Sequence, residues 1–253
     1  MRVLYLIRPV SGGMRQHLVG LWQQLDRRLV EPIVVCPPSE ADFFSRENLG
    51  LKIWPLDIRE KLSLWPDISV AMALPRLAKT WNIEIIHAHG YKAGLLSLWA
   101  GLCPNRRYQV ICTFHNPLRR YACGLKNWLS SLLAGAVART SDHLIVISRF
   151  IGVETRQRWS VPARKISCIY NGINPSVRPS LLPEKVRVEW KIPAEVPLIG
   201  TVARLIPQKG LQFLIEAAGL LRREAIDFRM VVVGDGPFRP ELEALSHRTG
   251  LSG

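Results

Sequence analysis

The sequence predicts an α/β protein in which a mostly parallel β-sheet is covered by helices on both faces. Three observations support this fold class. Along the 253 residues, short apolar segments of strand length alternate with longer segments of helical periodicity. Most of the short segments are apolar throughout, as expected for strands that are buried on both faces. A proline-rich stretch interrupts the alternation, which then restarts, and this predicts a second domain.

Seven apolar segments of the first series are predicted to be strands. They are rich in valine, isoleucine and leucine, and glycine, proline or polar residues bound them. The predicted strands are 3–7, 32–36, 51–54, 83–87, 109–113, 143–147 and 166–170. Because ligands of parallel sheets bind beyond the carboxyl ends of the strands, polar residues just after these segments are candidates for a functional site.

Five helices are predicted between these strands. In the first, leucines and a tryptophan recur at intervals of three and four residues, which gives the helix an apolar face. Asp67 and Ser148 are the expected N-caps of two others, because their side-chain oxygens can accept hydrogen bonds from the first turn. The predicted helices cover 15–29, 67–80, 92–102, 122–137 and 149–159.

Five prolines between residues 171 and 197 mark a change of character. We interpret this segment as a linker with one short helix near 184–190. After it, the predicted elements are a strand over 198–203, a helix over 210–222, a strand over 228–233 and a helix over 239–247. This pattern predicts an N-terminal domain over 1–174, a linker over 175–197 and part of a further domain over 198–253.

The net charge of +14 indicates an anionic partner, which can be nucleic acid, an anionic lipid surface or a phosphorylated small molecule. No acidic residue occurs between Glu84 and Asp142. The five cysteines are scattered without CxxC spacing, which indicates free thiols in a reducing cytoplasm. No apolar run reaches about 18 residues, and the N-terminal run is too short for the core of a signal peptide.

Two histidines stand at the end of a predicted strand in the sequence IIHAHG. We expect His87 to be a strand residue that is satisfied by neighbouring backbone, and His89 to lie just beyond the strand. His115 of TFHNP and the pair Gly12–Gly13 are expected at the same edge of the sheet. No third metal ligand has suitable local spacing, so a metal site is not expected.

Two cations follow the first strand of the second series, in GTVARLIPQKG. Arg204 and Lys209 lie in a predicted loop that opens a helix. A helix N-terminus beside an arginine and a lysine suits a diphosphate, because the guanidinium makes bidentate contacts and the ammonium adds a point charge. The alternative is that both are ordinary surface cations.

Several segments resemble, in order, those of glycosyltransferase family 4, the retaining GT-B transferases that use nucleotide-diphosphate sugars. The resemblance is carried by VLYLIRPVSGGMRQHLVGL, IIHAHGYKAGLLSLW, TFHNP, LIVISRF, CIYNGIN and the stretch from GTVARLIPQKG to VVVGDGP. It covers essentially the whole chain and implies two Rossmann-like domains, the second incomplete. It also implies sugar transfer from a nucleotide sugar, with retention, to a sugar, lipid-linked or small-molecule acceptor.

The resemblance also implies roles for individual residues. His89 contacts the transferred sugar and is catalytic, while Arg204 and Lys209 hold the donor diphosphate without a metal. The loop Gly12–Gly13 lets the backbone approach a substrate closely. His115, Asn171 and Gly234 fall in matching segments and are secondary candidates.

One departure from the family concerns the end of the sequence. Members carry two glutamates late in the second domain, which bind the donor, and this sequence stops too soon after Lys209 to include them. We therefore expect a fragment, with weak donor binding and doubtful activity by itself. A missing C-terminal half, or a role as a non-catalytic partner subunit, remains open.

A helical face near the basic residues Arg119, Arg120 and Lys126 raises the possibility of membrane contact. The face comprises Leu125, Trp128, Leu129, Leu132, Leu133, Ala136 and Val137. We expect it to pack on the sheet, with the basic residues exposed toward an anionic surface on the inner face of the plasma membrane. Two rival functions are weaker, because neither a nucleic-acid-binding motif nor the GxGxxG of NAD-dependent enzymes is present.

Overall fold

A seven-stranded parallel sheet forms the centre of the first of two units in a computed structural model of the protein. The structure describes residues 1–10, 12–118, 124–175 and 183–251, and the units are Met1–Asn174 and Pro175–Gly253. The strands of the first unit are β1 (Arg2–Ile7), β2 (Glu31–Cys36), β3 (Lys52–Pro55), β4 (Ile85–His89), β5 (Gln109–Phe114), β6 (His143–Val146) and β7 (Ile166–Cys168). They lie in the order β3-β2-β1-β4-β5-β6-β7, and all pairs are parallel.

Six α-helices of the described residues accompany this sheet. They are α1 (Gly13–Gln24), α2 (Pro38–Arg46), α3 (Leu64–Thr80), α4 (Gly90–Leu102), α5 (Gly124–Thr140) and α6 (Arg149–Trp159). The sequence did not predict α2, whose residues PSEADFFSR look like a polar loop. Pro38 at its first position suits a helix start, and Phe44 is buried in the core, so tertiary packing stabilises this short helix.

Hydrophobic clusters cover both faces of the sheet. Along β1, Leu4 and Leu6 belong to one cluster, whereas Val3, Tyr5 and Ile7 belong to the other. This alternation follows from the two-residue period of a strand. Burial on both faces explains why the strand sequences are apolar throughout, and it confirms the predicted α/β class with a parallel sheet.

Two predicted boundaries in the first unit are wrong for reasons that bear on the site. β4 continues to His89, because that residue pairs with Ile7 of β1 on one side and with Thr113 of β5 on the other. Helix α3 begins at Leu64, so Asp67 lies inside its first turn and is not the N-cap. The Asp67 carboxylate instead accepts a 2.9 Å hydrogen bond from the backbone N–H of Ser63.

The second unit contains two parallel strands, β8 (Leu198–Val202) and β9 (Arg229–Val233). Its helices are α7 (Pro183–Glu189), α8 (Leu211–Arg223) and α9 (Arg239–Arg248). A small core joins Leu205, Leu211, Ile215 and Leu242. Across both units, the described residues include no helix that combines the length and the hydropathy needed to cross a bilayer.

Candidate functional site

Three histidine side chains meet at the carboxyl edge of the first sheet. His89 is the last residue of β4, and His115 directly follows β5, the neighbouring strand. His17 comes from α1, which follows β1 on the other side of β4. His89 and His115 are buried, whereas His17 is half-buried. The sheet therefore gathers side chains that are far apart in the sequence.

The rings of the three histidines are close together. Nδ1 of His89 and Nε2 of His115 share a hydrogen bond of 3.1 Å. The ring centroid of His17 lies 5.3 Å from that of His115 and 6.3 Å from that of His89. One nitrogen of each ring lies within 4.8 Å of the corresponding nitrogen of both others. The sequence had suggested His89 and His115 but not His17, which is the third member of this cluster.

The remaining nitrogens of the buried pair have no partner among the described residues. These atoms are Nε2 of His89 and Nδ1 of His115. The shared hydrogen bond contains one proton, which belongs either to His89 or to His115. If His89 donates, its Nε2 is an acceptor and Nδ1 of His115 carries a proton. If His115 donates, these roles are reversed, so the pair always offers one donor and one acceptor.

Burial keeps these imidazoles neutral at physiological pH. Loss of hydration lowers the pKa of His115 to about 4, with smaller contributions from the charges of His17 and Arg8. The pKa of His89 lies well below its usual range, mainly because of burial and then because of the neighbouring His87. Burial also lowers the pKa of His17. The cluster therefore presents uncharged nitrogen donors and acceptors rather than cations.

His87 is part of the scaffold beside this cluster. Its Nε2 shares a 2.7 Å hydrogen bond with the Thr113 hydroxyl, so the expectation that backbone satisfies this ring is wrong. The two groups meet because His87 and Thr113 lie on adjacent strands. The Tyr5 ring stacks against His89 at a centroid distance of 5.9 Å and lies tilted against His87 at 5.4 Å. These contacts fix the rings that surround His89.

Glycines stand at two turns next to the elements that carry the cluster. Gly12 is the N-cap of α1, and a Cβ placed on Gly12 or Gly13 would meet no atom within 4 Å among the described residues. The predicted glycine loop therefore leaves open space beside the helix that carries His17. Gly90 has a φ of +84° and begins α4 immediately after His89, a conformation that a residue with a side chain adopts only under strain.

Two ion pairs of the first unit were not foreseen from the sequence. Arg15 of α1 binds both carboxylate oxygens of the buried Glu40, at 2.8 and 3.0 Å. Lys92 of α4 binds the carboxylate of Asp67 in α3, and both side chains are mostly buried. Because these cations are already neutralised, they hold helices in place and are poor candidates for ligand binding.

Arg204 and Lys209 both lie in the loop between β8 and α8 of the second unit. Arg204 follows β8, and Lys209 ends a short 3₁₀ turn, Pro207–Lys209, before Gly210 caps α8. Both side chains are exposed, and neither forms an ion pair within the described part of the chain. Two unpaired cations next to a helix start are the arrangement that the sequence predicted for an anion site.

Gly234, a secondary candidate, supports the backbone on both sides of Arg204. A Cβ on Gly234 would lie 1.9 Å from the carbonyl oxygen of Ala203, and one on Gly236 would lie 2.3 Å from that of Leu205. The Leu205 N–H also donates a 2.9 Å hydrogen bond to the Asp235 carbonyl. Two glycines therefore permit the close contact that positions the Arg204 loop.

Among the described residues, Asn171 makes no contact that assigns it a role. Asn171 is exposed, in the irregular stretch after β7. Arg119 and Arg120 lie outside the described residues. The three histidines of the first unit thus form one group, and Arg204, Lys209 and Gly234 form another in the second unit.

The apolar face of α5 is not packed on the sheet as expected. Four large side chains of its N-terminal part are exposed: Leu125 by 72%, Trp128 by 62%, Leu129 by 47% and Leu132 by 50%. The buried residues of the helix are instead the small ones and Val137 in its C-terminal part. Most of the predicted face is therefore a surface stripe, and only its end contributes to the core.

Comparisons with known proteins place this geometry in a family. Residues 11–177 match the family model for Glycosyltransferase Family 4, and residues 183–253 match Glycosyl transferases group 1. A 2-deoxystreptamine glucosyltransferase of Streptomyces kanamyceticus is 26% identical over 149 residues, which cover 57% of this chain and 36% of that protein. The matched segments span 14%, 36% and 43% of the first three curated relatives.

Solved structures share the fold. HepE of Anabaena, in complex with UDP, aligns with a TM-score of 0.75 and 20% identity over 99% of this chain and 67% of that structure. A sucrose-phosphate synthase from Thermosynechococcus elongatus aligns with a TM-score of 0.77 and 16% identity over 99% of this chain and 68% of that structure. Because one family model covers well over half of the sequence, the chain belongs to glycosyltransferase family 4, and its fold is of the GT-B type.

Proposed function

We propose that this protein transfers a sugar from a nucleoside diphosphate sugar to an acceptor, and that His89 is the residue that contacts the transferred sugar. The observation that carries the proposal is the buried Nε2 of His89, at the carboxyl end of β4 in a family 4 chain, which has no partner among the described residues. A buried polar atom without a partner is costly unless a ligand satisfies it. A sugar hydroxyl can act as either donor or acceptor, so it suits both tautomers of the His89–His115 pair.

Neutral imidazoles are well suited to this role. The transition state of sugar transfer develops positive charge on the ring, as an oxocarbenium ion. A charged histidine beside that ring would oppose the reaction, whereas a neutral one contributes a hydrogen bond without repulsion. Burial, which lowers the pKa of both His89 and His115, therefore favours the chemistry as well as the contact.

Arg204 and Lys209 are proposed to bind the diphosphate of the donor. Negative charge accumulates on the leaving diphosphate as the glycosidic bond breaks, and fixed cations stabilise that charge. The guanidinium and the ammonium together supply the neutralisation that a divalent ion supplies in other enzymes. The proposal includes retention of the anomeric configuration, as the family resemblance implies.

A nucleotide-binding experiment tests the diphosphate assignment. Calorimetric titration of the chain with UDP, GDP and ADP should show binding of at least one of these nucleotides. Lys209→Ala should weaken it about tenfold, because one charge-assisted hydrogen bond contributes about 1.5–3 kcal/mol. Arg248→Ala removes the same charge from an exposed position on α9 and should have no effect. Equal affinities for wild type and Lys209→Ala would exclude the assigned role.

A turnover experiment tests the chemistry. Incubation with nucleotide sugars and candidate acceptors should release the nucleoside diphosphate, and His89→Ala should abolish that release without loss of nucleotide binding. NMR of the product then reports whether the anomeric configuration is retained. Unchanged release of nucleoside diphosphate by His89→Ala would contradict the proposed role of this histidine.

We further propose that the protein acts in the cytoplasm and contacts an anionic membrane through α5, where a lipid-linked acceptor would be available. The exposed residues Leu125, Trp128, Leu129 and Leu132 form one stripe, with intervals of three and four residues. Lys126 lies beside it, and α5 contains no acidic residue. An apolar stripe next to positive charge is typical of helices that lie in the membrane interface.

Vesicle sedimentation tests this surface. The chain should sediment with vesicles that contain an anionic phospholipid at low salt, and Trp128→Ser should reduce the bound fraction. Trp99→Ser is the matched control, because Trp99 is also exposed, by 58%, but on α4. Binding that is equal for both variants, or absent for wild type, would refute the membrane contact.

A further inference from the structure

The histidine cluster offers more than a contact for a sugar. His17, His89 and His115 come from three different elements, and one nitrogen of each lies within 4.8 Å of the other two. Two of the nitrogens, Nδ1 of His89 and Nε2 of His115, are only 3.1 Å apart. In tetrahedral zinc sites, metal–nitrogen bonds of roughly 2.0–2.1 Å place the nitrogens about 3.4 Å from one another. The His89–His115 distance is therefore near that of a metal site, and ring movement would have to bring the His17 nitrogen closer to the other two.

The chemical state of the cluster also suits a metal ion. Imidazole binds a metal ion through an unprotonated ring nitrogen, and each neutral histidine has one. A metal ion would replace the single proton that His89 and His115 now share. That proton would move to one of the two outer nitrogens, Nε2 of His89 and Nδ1 of His115, which have no partner among the described residues. No net release of protons is required.

We propose that His17, His89 and His115 bind one divalent transition-metal ion, and that Zn²⁺ fits the ligand set best. Three imidazoles without a thiolate are characteristic of zinc sites that leave a fourth position open to water or another ligand. Within the described residues, no carboxylate or thiol joins the cluster. His87 is not part of the ligand set, because its Nε2 is engaged by the Thr113 hydroxyl.

Access and charge define what kind of site this is. His17 is half-buried, so one member of the cluster is partly exposed to solvent, whereas the other two rings are buried. The positive charge of Arg8 acts on His115, and no anionic side chain of the described cluster compensates the charge of the ion. We therefore expect reversible binding rather than a structural metal. Bound metal would fix Nε2 of His89 as a hydrogen-bond donor, which changes what the proposed sugar contact can accept.

Equilibrium dialysis with Zn²⁺ and visible spectroscopy with Co²⁺ test the proposal on the chain itself, without any nucleotide sugar. The five cysteines are competing ligands, so accessible thiols are alkylated first. We expect one ion per chain and the spectrum of a tetrahedral nitrogen site. His17→Gln and His115→Gln should each weaken binding about tenfold or more. His143→Gln is the matched control, because His143 bonds Ser167 outside the cluster.

Each outcome decides the proposal. The proposal is overturned if His17→Gln binds Zn²⁺ as tightly as the wild type, or if His143→Gln loses as much Zn²⁺ affinity as His17→Gln. A sulfur-to-cobalt absorption band would also overturn it. Thermal unfolding supplies a second readout, because Zn²⁺ should raise the Tm of the wild type more than that of His17→Gln. If His115→Gln fails to fold, the half-buried His17 still decides the question. Failure of this test leaves the proposed sugar transfer intact, since that function does not require a metal.

Discussion

Substitution of Gly236 tests how the second unit positions Arg204. The Cβ of Gly236→Ala would lie 2.3 Å from the carbonyl oxygen of Leu205, the residue after Arg204. Because carbon and oxygen atoms pack at roughly 3.5 Å, one backbone segment must move by about 1 Å. Neither segment can yield by rotating a side chain, since the clash is with backbone. We expect a loss of about 1–3 kcal/mol in the stability of this unit, as in other overpacked sites.

The loss of stability should be accompanied by a loss of function. Movement of Leu205 shifts Arg204, whose guanidinium we propose to contact the donor diphosphate. A displacement of about 1 Å typically costs on the order of 100-fold in a catalysed reaction. In calorimetric titration, nucleotide affinity should fall about tenfold, which corresponds to the loss of one charge-assisted hydrogen bond.

The chain provides a close control. Gly200→Ala also adds a methyl group to a glycine of the second unit, but its Cβ would meet no atom within 4 Å among the described residues. This variant should match the wild type in both thermal unfolding and nucleotide titration. If Gly236→Ala behaves like Gly200→Ala in both assays, the proposed support of Arg204 by the glycine loop is wrong.

Two further predictions concern the first unit. Burial opposes the charge of Asp142, but hydrogen bonds from Arg106 and from the backbone N–H of Val110 outweigh this effect and lower its pKa. The stability that Asp142 contributes is therefore present above the unfolded pKa of about 3.9 and is lost as pH falls through the lower folded pKa. Asp142→Asn should cost about 1–2 kcal/mol at neutral pH in urea unfolding and much less in strong acid, and an equal cost at both would contradict this. Lys92→Ala should cost about 3–5 kcal/mol of stability, because it leaves the Asp67 charge buried without a partner. The double variant Lys92→Met/Asp67→Leu should recover most of that stability. Urea unfolding measures both variants, and equal stabilities for the two would contradict the prediction.

Much of the first unit was predictable because its strand signal is local. Each strand is a short apolar run, and burial on both faces explains both its composition and its place in a parallel sheet. The end of β4 was less predictable, since the strand reaches His89 only through pairing with Ile7 and Thr113 on its two neighbours. Pairing across a sheet is a tertiary property that the local pattern does not contain.

The cluster of histidines illustrates the same limit. His17 lies on a helix whose pattern indicates only an apolar face, and its proximity to His89 depends on β1 and β4 being adjacent. The available signal was the position of His17 shortly after the glycine loop, at the same edge of the sheet as His89. Combining chain position with the expected sheet order would have included it.

The orientation of α5 was mispredicted for a different reason. The spacing of the large apolar residues indicates a core face, but the buried part of the helix contains Ala134, Gly135 and Ala138. A Cβ on Gly135 would lie 2.9 Å from the Trp159 ring, so the helix approaches its neighbour more closely than leucines would permit. Small residues can mark a tight helix contact, and periodicity of large residues alone does not identify the buried face.

The proposed metal and nucleotide sites make separable demands on this chain, which allows each to be judged independently. The metal ligands all belong to the first unit, whereas Lys209 and Arg204 belong to the second. Lys209→Ala should therefore leave Zn²⁺ affinity unchanged while it weakens nucleotide binding, since a surface charge in another unit does not alter three neutral imidazoles. His17→Gln should weaken Zn²⁺ binding and leave the affinity for nucleoside diphosphate unchanged, because His17 has no proposed contact with the diphosphate. If either substitution weakened the binding of both Zn²⁺ and the nucleoside diphosphate, the assignment of separate roles to the two residue groups would be wrong.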